Sequence, residues 1–266
     1  MSSTRQEILE LATDIAREAG RTLMWFYERP REKHARMKGL RDPVTDADVA
    51  SENLIAERIR QRFPDHAILA EEKDRGRADG EHLWIVDPLD ATVNFLHGHP
   101  LFAVSIAYYH RGVGEVGVVY APYLGEMFTA ARGEGCRLNG KLLEVSKTEA
   151  LDQSVLATGF HYQRHEQVDN NVARFTHLIL QVRGIRRGGC ASLDLAYVAA
   201  GRFDGYWELW LSPYDVAAGA ILVREAGGRV TDLGDGDEWL HGGQILATNG
   251  PMHETLRAEL AAAAPR

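Results

Sequence analysis

Apolar residues at Ile8, Leu11, Ile15, Ala19, Leu23 and Phe26 recur at intervals of three and four, which places one apolar stripe along a long helix. Thr4-Arg5-Gln6-Glu7 has the form of a capping box at its start, and the helix must stop before Pro30. The stretch from Arg31 to Asp42 is charged, carries Gly39 and reads as a mobile loop. A second helix is predicted from near Asp46 to Phe63, with Val49, Ile55, Ile59 and Phe63 facing inward and Pro64 ending it. Two short apolar runs, Ala67–Ala70 and Leu83–Val86, then read as buried strands. Each runs directly into acid: Glu71-Glu72 after the first, Asp87 after the second.

From Phe102 to Val145 the pattern changes to β-like runs broken by glycine and by Asn139-Gly140. Phe102–Tyr109, Val116–Tyr120 and Glu126–Ala131 are predicted to form an antiparallel meander. After about residue 150 strands and helices alternate. Strands fall near Val155 and Ile185, at Phe203–Glu208, and near Val230 and Ile245. Helices fall at about Asp169 to Val182, at Ala191–Ala200, at Pro213–Ala226 and from Pro251 onward. This predicts a mixed α/β fold in two lobes, an N-terminal α+β lobe over residues 1–148 and a C-terminal α/β lobe over 149–266, with the boundary near 146–152. No repeat or low-complexity tract interrupts it.

Composition adds limits. At 266 residues, 45% apolar and 26% charged, the chain can bury a sizeable core, so wholesale disorder is excluded and no disulfide or structural metal is needed for folding. The 38 acidic against 30 basic residues give a net charge of −8, which argues against a general nucleic-acid or anionic-membrane binder. Cys136 and Cys190 fit a reducing compartment better than a disulfide scaffold. Glu7, Glu10 and Asp14 interrupt any signal-peptide core, and no apolar run approaches the roughly 18 residues of a membrane span. A cytoplasmic protein without membrane contact is expected.

Acids at element ends carry the candidate chemistry: Glu71-Glu72, then Asp87-Pro88-Leu89-Asp90-Ala91-Thr92, then Asp215 at a helix start in Ser212-Pro213-Tyr214-Asp215. Any one of them alone is most simply a helix cap or a solvated surface acid. The group at Asp87 and Asp90 is harder to explain that way. An apolar strand leading into two acids three residues apart puts both at the lip of a crevice where open α/β sheets bind ligands. Carboxylates that close repel unless a cation neutralises them, and hard oxygen ligands suit Mg²⁺. Thr92 stands where a hydroxyl could hold a water made acidic by the metal, and the Ala91 and Thr92 N–H groups could meet a phosphate. No P-loop or dinucleotide glycine fingerprint competes for that role. Neither cysteine lies in a CxxC pair and the eleven histidines show no HExxH, so zinc is not expected.

These residues resemble the inositol monophosphatase family, within the lithium-sensitive, Mg²⁺-dependent phosphomonoesterases. The family's W-I-[IV]-D-P-[IL]-D-G-T-x-N-F motif is matched by Trp84 through Phe95, followed by Gly98-His99-Pro100. Its W-D-x-A-A-G and E-A-G-G segments are matched by Tyr214–Gly219 and Glu225–Gly228, its K-G-x-x-D-x-V-T-x-x-D pattern by Lys38–Asp48, and its acidic pair by Glu71-Glu72. The resemblance implies a layered αβαβα sandwich and a homodimer. It implies two to three Mg²⁺ ions per site, held by Glu71, Asp87, Asp90, Asp215 and the Leu89 carbonyl. By the same resemblance, Thr92 and Asp48 with Glu71 orient and activate the attacking water for in-line displacement, and Lys38 on its loop helps close the site. Asp90, Ala91, Thr92, Gly189, Cys190, Ala191 (through its N–H) and Glu208 would contact substrate.

Three positions depart from the family pattern: Ala91 replaces a glycine, Cys190 a Ser or Thr, and Tyr214 a tryptophan. If position 91 has φ below zero alanine is tolerated there, and if not, phosphate binding suffers. The departures bear on substrate more than on reaction. The leading reading is a phosphatase of inositol 1-phosphate or a similar polyol phosphate. Histidinol phosphate, fructose 1,6-bisphosphate and 3′-phosphoadenosine 5′-phosphate are rival substrates. A regulatory binding protein contacting the transcription or ribosome-assembly machinery is the alternative class.

Overall fold

The computed structural model describes residues 5–29, 35–72 and 80–265. Helix α1 (Arg5–Tyr27) buries Ile8, Ala12, Ile15, Ala16, Ala19 and Leu23, with Leu11 and Phe26 packed at the margin of the stripe. The Thr4 end of the proposed capping box lies outside the described residues. Thr45 caps α2 (Asp46–Arg62), and a reciprocal capping box joins it to Asp48.

The charged stretch expected to be a mobile loop is not one over its described part. Ala35–Gly39 (β1) and Asp42–Thr45 (β2) pair as an antiparallel hairpin, while residues 31–34 lie outside the described residues. Strand β1 is almost wholly exposed, so it carries no alternation of apolar and polar positions by which its sequence could announce it.

A seven-stranded sheet follows in simple order: β3 (Ala67–Ala70), β4 (His82–Asp90), β5 (Ala103–His110), β6 (Val113–Ala121), β7 (Glu126–Ala131), β8 (Gly135–Leu138) and β9 (Lys141–Leu143). Only β3 and β4 pair in parallel. Asn139 and Gly140 join β8 to β9 with φ of 49° and 83°, as a tight hairpin turn of this sequence requires. A second sheet, ordered β11-β10-β12-β14-β13, contains β10 (Val155–Thr158), β11 (Gly184–Arg186), β12 (Gly205–Leu209), β13 (Arg229–Thr231) and β14 (Gln244–Thr248).

The remaining helices are α3 (Thr92–Leu96), α4 (Val172–Ile179), α5 (Ala191–Ala199), α6 (Pro213–Glu225) and α7 (His253–Ala262). Helix α4 is shorter than the span from Asp169 to Val182 because Asn171 sits in the left-handed region at its start and Asp169 pairs with Arg174 instead of extending it. Helices α1 and α2 cover one face of the large sheet, α5 and α6 lie between the two sheets, and α4 and α7 pack together beyond the small sheet, with α7 against β14. The order α, β, α, β, α is the sandwich that the family resemblance implies.

Helix α6 is buried continuously from Val216 to Val223, as a helix clasped by sheets must be. Close approach depends on small residues: a Cβ at Gly117 of β6 would fall 2.7 Å from the Ala218 carbonyl, and one at Gly219 would fall 2.5 Å from the Leu195 side chain. Among the described residues, no helix is long and apolar enough to cross a membrane.

Candidate active site

Strand β4 is longer than the apolar run Leu83–Val86 because pairing continues through the acids. Asp87 faces Ser105 and Asp90 faces Ala103, so three steps along β4 match two along β5. The resulting bulge at Pro88-Leu89 turns both carboxylates out of the ladder, a common device beside functional sites. Ser51 of α2 donates to the Pro88 carbonyl at 2.8 Å and the Leu89 N–H donates to Asp87 Oδ1 at 3.0 Å, which fixes the turn. Glu71 arrives from the end of β3 and Asp215 from the first turn of α6, where the Ser212 N–H holds its Oδ2 at 2.6 Å.

The four carboxylates feel one another. Burial, then repulsion from Glu71, Asp90 and Asp215, pushes Asp87 well above the usual carboxylate range. Asp215 is raised in the same way, by burial and then by Asp90 and Glu71. Burial raises Asp90 too, against the donors that grip its carboxylate. Those are the Ser192 N–H at 2.7 Å, the Ser192 hydroxyl at 2.6 Å and the Cys190 thiol at 3.2 Å, with the Ala191 N–H also turned to it. The start of α5 is thus spent on orienting Asp90.

Thr92 and Asp48 are in contact: Thr92 Oγ1 donates to Asp48 Oδ1 at 2.9 Å and also lies 3.2 Å from the Leu89 carbonyl. Burial lifts Asp48 to about 7, although hydrogen bonds from Thr45 and Thr92 pull the other way. Lys38 projects from β1, with Nζ donating to Glu71 Oε1 at 2.7 Å and to Glu72 Oε1 at 2.6 Å. Burial works against its charge, but the two glutamates more than offset that and its pKa is raised.

Ala91 adopts φ 75° and ψ 50°, the left-handed conformation in which alanine is disfavoured. Gly189, at φ 78°, packs between the Arg187 guanidinium and Asn94, whose amide donates to the Gly188 and Leu101 carbonyls. Glu208 sits on β12, accepts from the Tyr206 hydroxyl at 2.6 Å and is lifted by burial to about 7. A Cβ at Gly159 would overlap the Glu208 carboxylate, so that glycine makes room for it.

The fold brings further residues here to which the sequence assigned no role. Asp194 is buried near Glu208 and Asp90, which together with burial raise it strongly, against the pull of Arg187. Ser192 grips Asp90. The Tyr162 hydroxyl is raised by burial and then by Asp90, Asp42, Glu71 and Asp215. The Glu225-Ala226-Gly227-Gly228 segment does a different job: Glu225 Oε2 accepts the Gly133 and Gly135 N–H groups at 2.9 and 3.0 Å and ties the β7–β8 turn to α6.

The donor set is all oxygen, and its charges are buried against one another. Such a set fits a hard divalent cation, whose charge would relieve the repulsion that now raises Asp87 and Asp215. Fold and pocket therefore define a class, an αβαβα protein with an all-oxygen acidic centre at strand and helix ends. The chain belongs to the inositol monophosphatase family of metal-dependent phosphatases, whose family model matches residues 4–266. It is 43% identical to an inositol-1-monophosphatase of Synechocystis over 98% of this chain and 91% of that protein. It is 44% identical to the Nus factor SuhB of Pseudomonas aeruginosa over 94% of each chain. The structure of the inositol monophosphatase from Anabaena superposes with a TM-score of 0.89 at 44% identity, covering 98% of this chain and 97% of that one.

Proposed function

We propose that the protein is a Mg²⁺-dependent phosphomonoester hydrolase acting on inositol 1-phosphate or a closely similar polyol monophosphate. The observation that carries this reading is the Thr92–Asp48 contact of 2.9 Å beside a buried acidic group in which Asp87 and Asp215 are raised by burial and by their acidic neighbours. Glu71, Asp87, Asp90, Asp215 and the Leu89 carbonyl would hold the ions, which when bound supply charge neutralisation of the phosphate and acidification of a water. With its proton given to Asp48, Thr92 Oγ1 presents a lone pair that accepts from the attacking water and orients it. Asp48, already near 7, is placed to take up the proton. Lys38 must loosen its hold on Glu71 when a cation enters, and its ammonium is then free to face the phosphate.

On the far side, Glu208 offers a carboxylate that can accept from two neighbouring hydroxyls of a ring. The same reading assigns Ala91, Gly189, Cys190 and Ala191 to substrate contact. Chain segments 1–148 and 149–266 are taken as the two lobes, on the ground that β9 ends at Leu143 and β10 begins at Val155. A homodimer and a cytoplasmic location belong to the same reading.

Phosphate release from inositol 1-phosphate, histidinol phosphate, fructose 1,6-bisphosphate, 3′-phosphoadenosine 5′-phosphate and an aryl phosphate, with and without Mg²⁺, tests it. The expected outcome is turnover that a chelator abolishes and Mg²⁺ restores, highest on the inositol ester. Full turnover in metal-free buffer would contradict the assignment. Glu208→Gln is expected to lower kcat/KM on the polyol ester about tenfold or more, the scale of a charge-assisted hydrogen bond, and to leave the aryl ester nearly unchanged. A regulatory binding role is the second reading, favoured by the Nus factor name of the Pseudomonas aeruginosa relative. It gains ground if no ester in the panel is hydrolysed with Mg²⁺ present.

A further inference from the structure

The far end of β4 carries a second grouping of potential metal ligands, with chemistry unlike that of the acid pocket. In the β4–β5 ladder His82 stands directly opposite His110, and their rings stack with centroids 4.8 Å apart and planes 12° from parallel. Glu81 precedes His82, and its carbonyl accepts the Arg111 N–H at 2.7 Å, so the pairing extends to this end. Glu81 Oε1 lies 3.3 Å from His110 Nε2, and one donor atom from each of Glu81, His82 and His110 falls within 4.8 Å of the others.

We propose that Glu81, His82 and His110 bind one divalent transition-metal ion of the Zn²⁺ or Co²⁺ kind, with water completing the shell. Two imidazoles and one carboxylate suit such ions, whereas Mg²⁺ prefers an all-oxygen octahedron. Zn–N and Zn–O bonds run at about 2.0–2.2 Å, so to share an ion the donors must draw closer and the His110 ring must turn out of its stack on His82 until both in-plane lone pairs converge. Glu81 is exposed and His110 partly so, and the rearrangement falls to these two side chains.

The surroundings supply the support that metal-binding imidazoles use. His82 Nδ1 lies 2.6 Å from the Tyr108 hydroxyl, which fixes that ring and leaves Nε2 for the ion. Behind it the ring of His66 stacks at 4.4 Å, and Phe63 stacks on His66 at 4.5 Å. Trp84 Nε1 donates to His66 Nδ1 at 3.1 Å, which anchors the stack to the core. Arg111 is the competitor, since Nε and Nη2 reach Glu81 Oε1 at 3.0 and 2.8 Å. Glu81 Oε2 has no part in that contact. The site joins residues that strand pairing alone brings together, so no linear motif of the HExxH type could display it.

Co²⁺ titration of the full chain in saturating Mg²⁺, followed by visible d–d absorption, tests the proposal independently of the phosphatase reading. One equivalent should bind, and His82→Ala or His110→Ala should each weaken binding at least tenfold. Arg111→Ala should strengthen it by releasing Glu81, and Asp87→Asn in the acid pocket should leave it intact. Phosphate release by the His110→Ala protein should match that of the unaltered chain. No Co²⁺ bound under these conditions, or binding lost in Asp87→Asn and kept in His110→Ala, would overturn the proposal.

Discussion

Ala91 is the residue at which local rule and function conflict most openly. At φ 75° its Cβ crowds the backbone, at a cost of roughly 1–2 kcal/mol, and a buried setting holds it there. A glycine would remove that strain but add about 0.5–1 kcal/mol of unfolded-chain entropy, so Ala91→Gly should stabilise by about 0.5–1 kcal/mol. For a chain of this size that raises the thermal midpoint by roughly 1–4 °C. A lower midpoint by calorimetry would mean that the methyl group's packing outweighs its strain. One residue on, Thr92→Ala should cut kcat by about 10²-fold or more with KM little changed. Because Thr92 and Asp48 act through one hydrogen bond, the double variant with Asp48→Asn should be little worse than either single one. Additive losses would separate their roles.

At the scale of elements, strand β1 of the exposed hairpin reaches the acids through the Lys38 side chain. Lys38 is 9% exposed and pairs with Glu71 and Glu72, which are 18% and 7% exposed. Breaking a buried pair from one side costs roughly 3–5 kcal/mol, and the partial exposure of Glu71 brings the expectation for Lys38→Gln down to about 2 kcal/mol in metal-free protein. Mg²⁺ should close most of the gap in thermal midpoint, because the ion then satisfies Glu71. An equal deficit with and without Mg²⁺ would show that Lys38 serves only the hairpin.

These elements also show what a sequence can and cannot display. The helices α1 and α2, the meander and the acids at the ends of β3 and β4 announce themselves, because burial on one face imposes a period and a strand end imposes a break. The hairpin does not, since an exposed strand needs no apolar alternation. Nor do Ser192, Asp194 and Tyr162, whose partners lie on other elements and meet them only once the layers have docked. The conformation of Ala91 is equally silent, because the chain there follows the bulge in β4 and the contacts around it.

For the whole molecule, the acid pocket sets a stability cost that metal should reverse. One core runs from α1 through the large sheet to the near face of the small one, a second lies beneath α4 and α7, and Asp87 and Asp90 come from the large sheet while Asp215 comes from the helix layer beneath it. Docking the layers therefore forces the carboxylates together. Asp48 and Glu208 are raised to about 7 from ordinary values of 3.8 and 4.5, and Asp87, Asp194 and Asp215 are raised well above 3.8. Between the ordinary and the raised values the folded state binds more protons than the unfolded one, so stability falls as pH rises through that window. His253, lowered from 6.5 to about 4 by burial, and His66 and His161, lowered by burial too, act in the opposite sense below pH 6.5. Above that pH the acids alone govern, so metal-free protein should melt at progressively lower temperature from about pH 6.5 to pH 8. Mg²⁺ competes with those protons and binds only the folded chain, so its stabilisation should grow over the same interval. Calorimetry with chelator and with saturating Mg²⁺ should show two curves that diverge as pH rises. A metal-free midpoint that stays flat or climbs between those pH values would mean that these carboxylates are already ionised and compensated in the folded protein without a divalent ion.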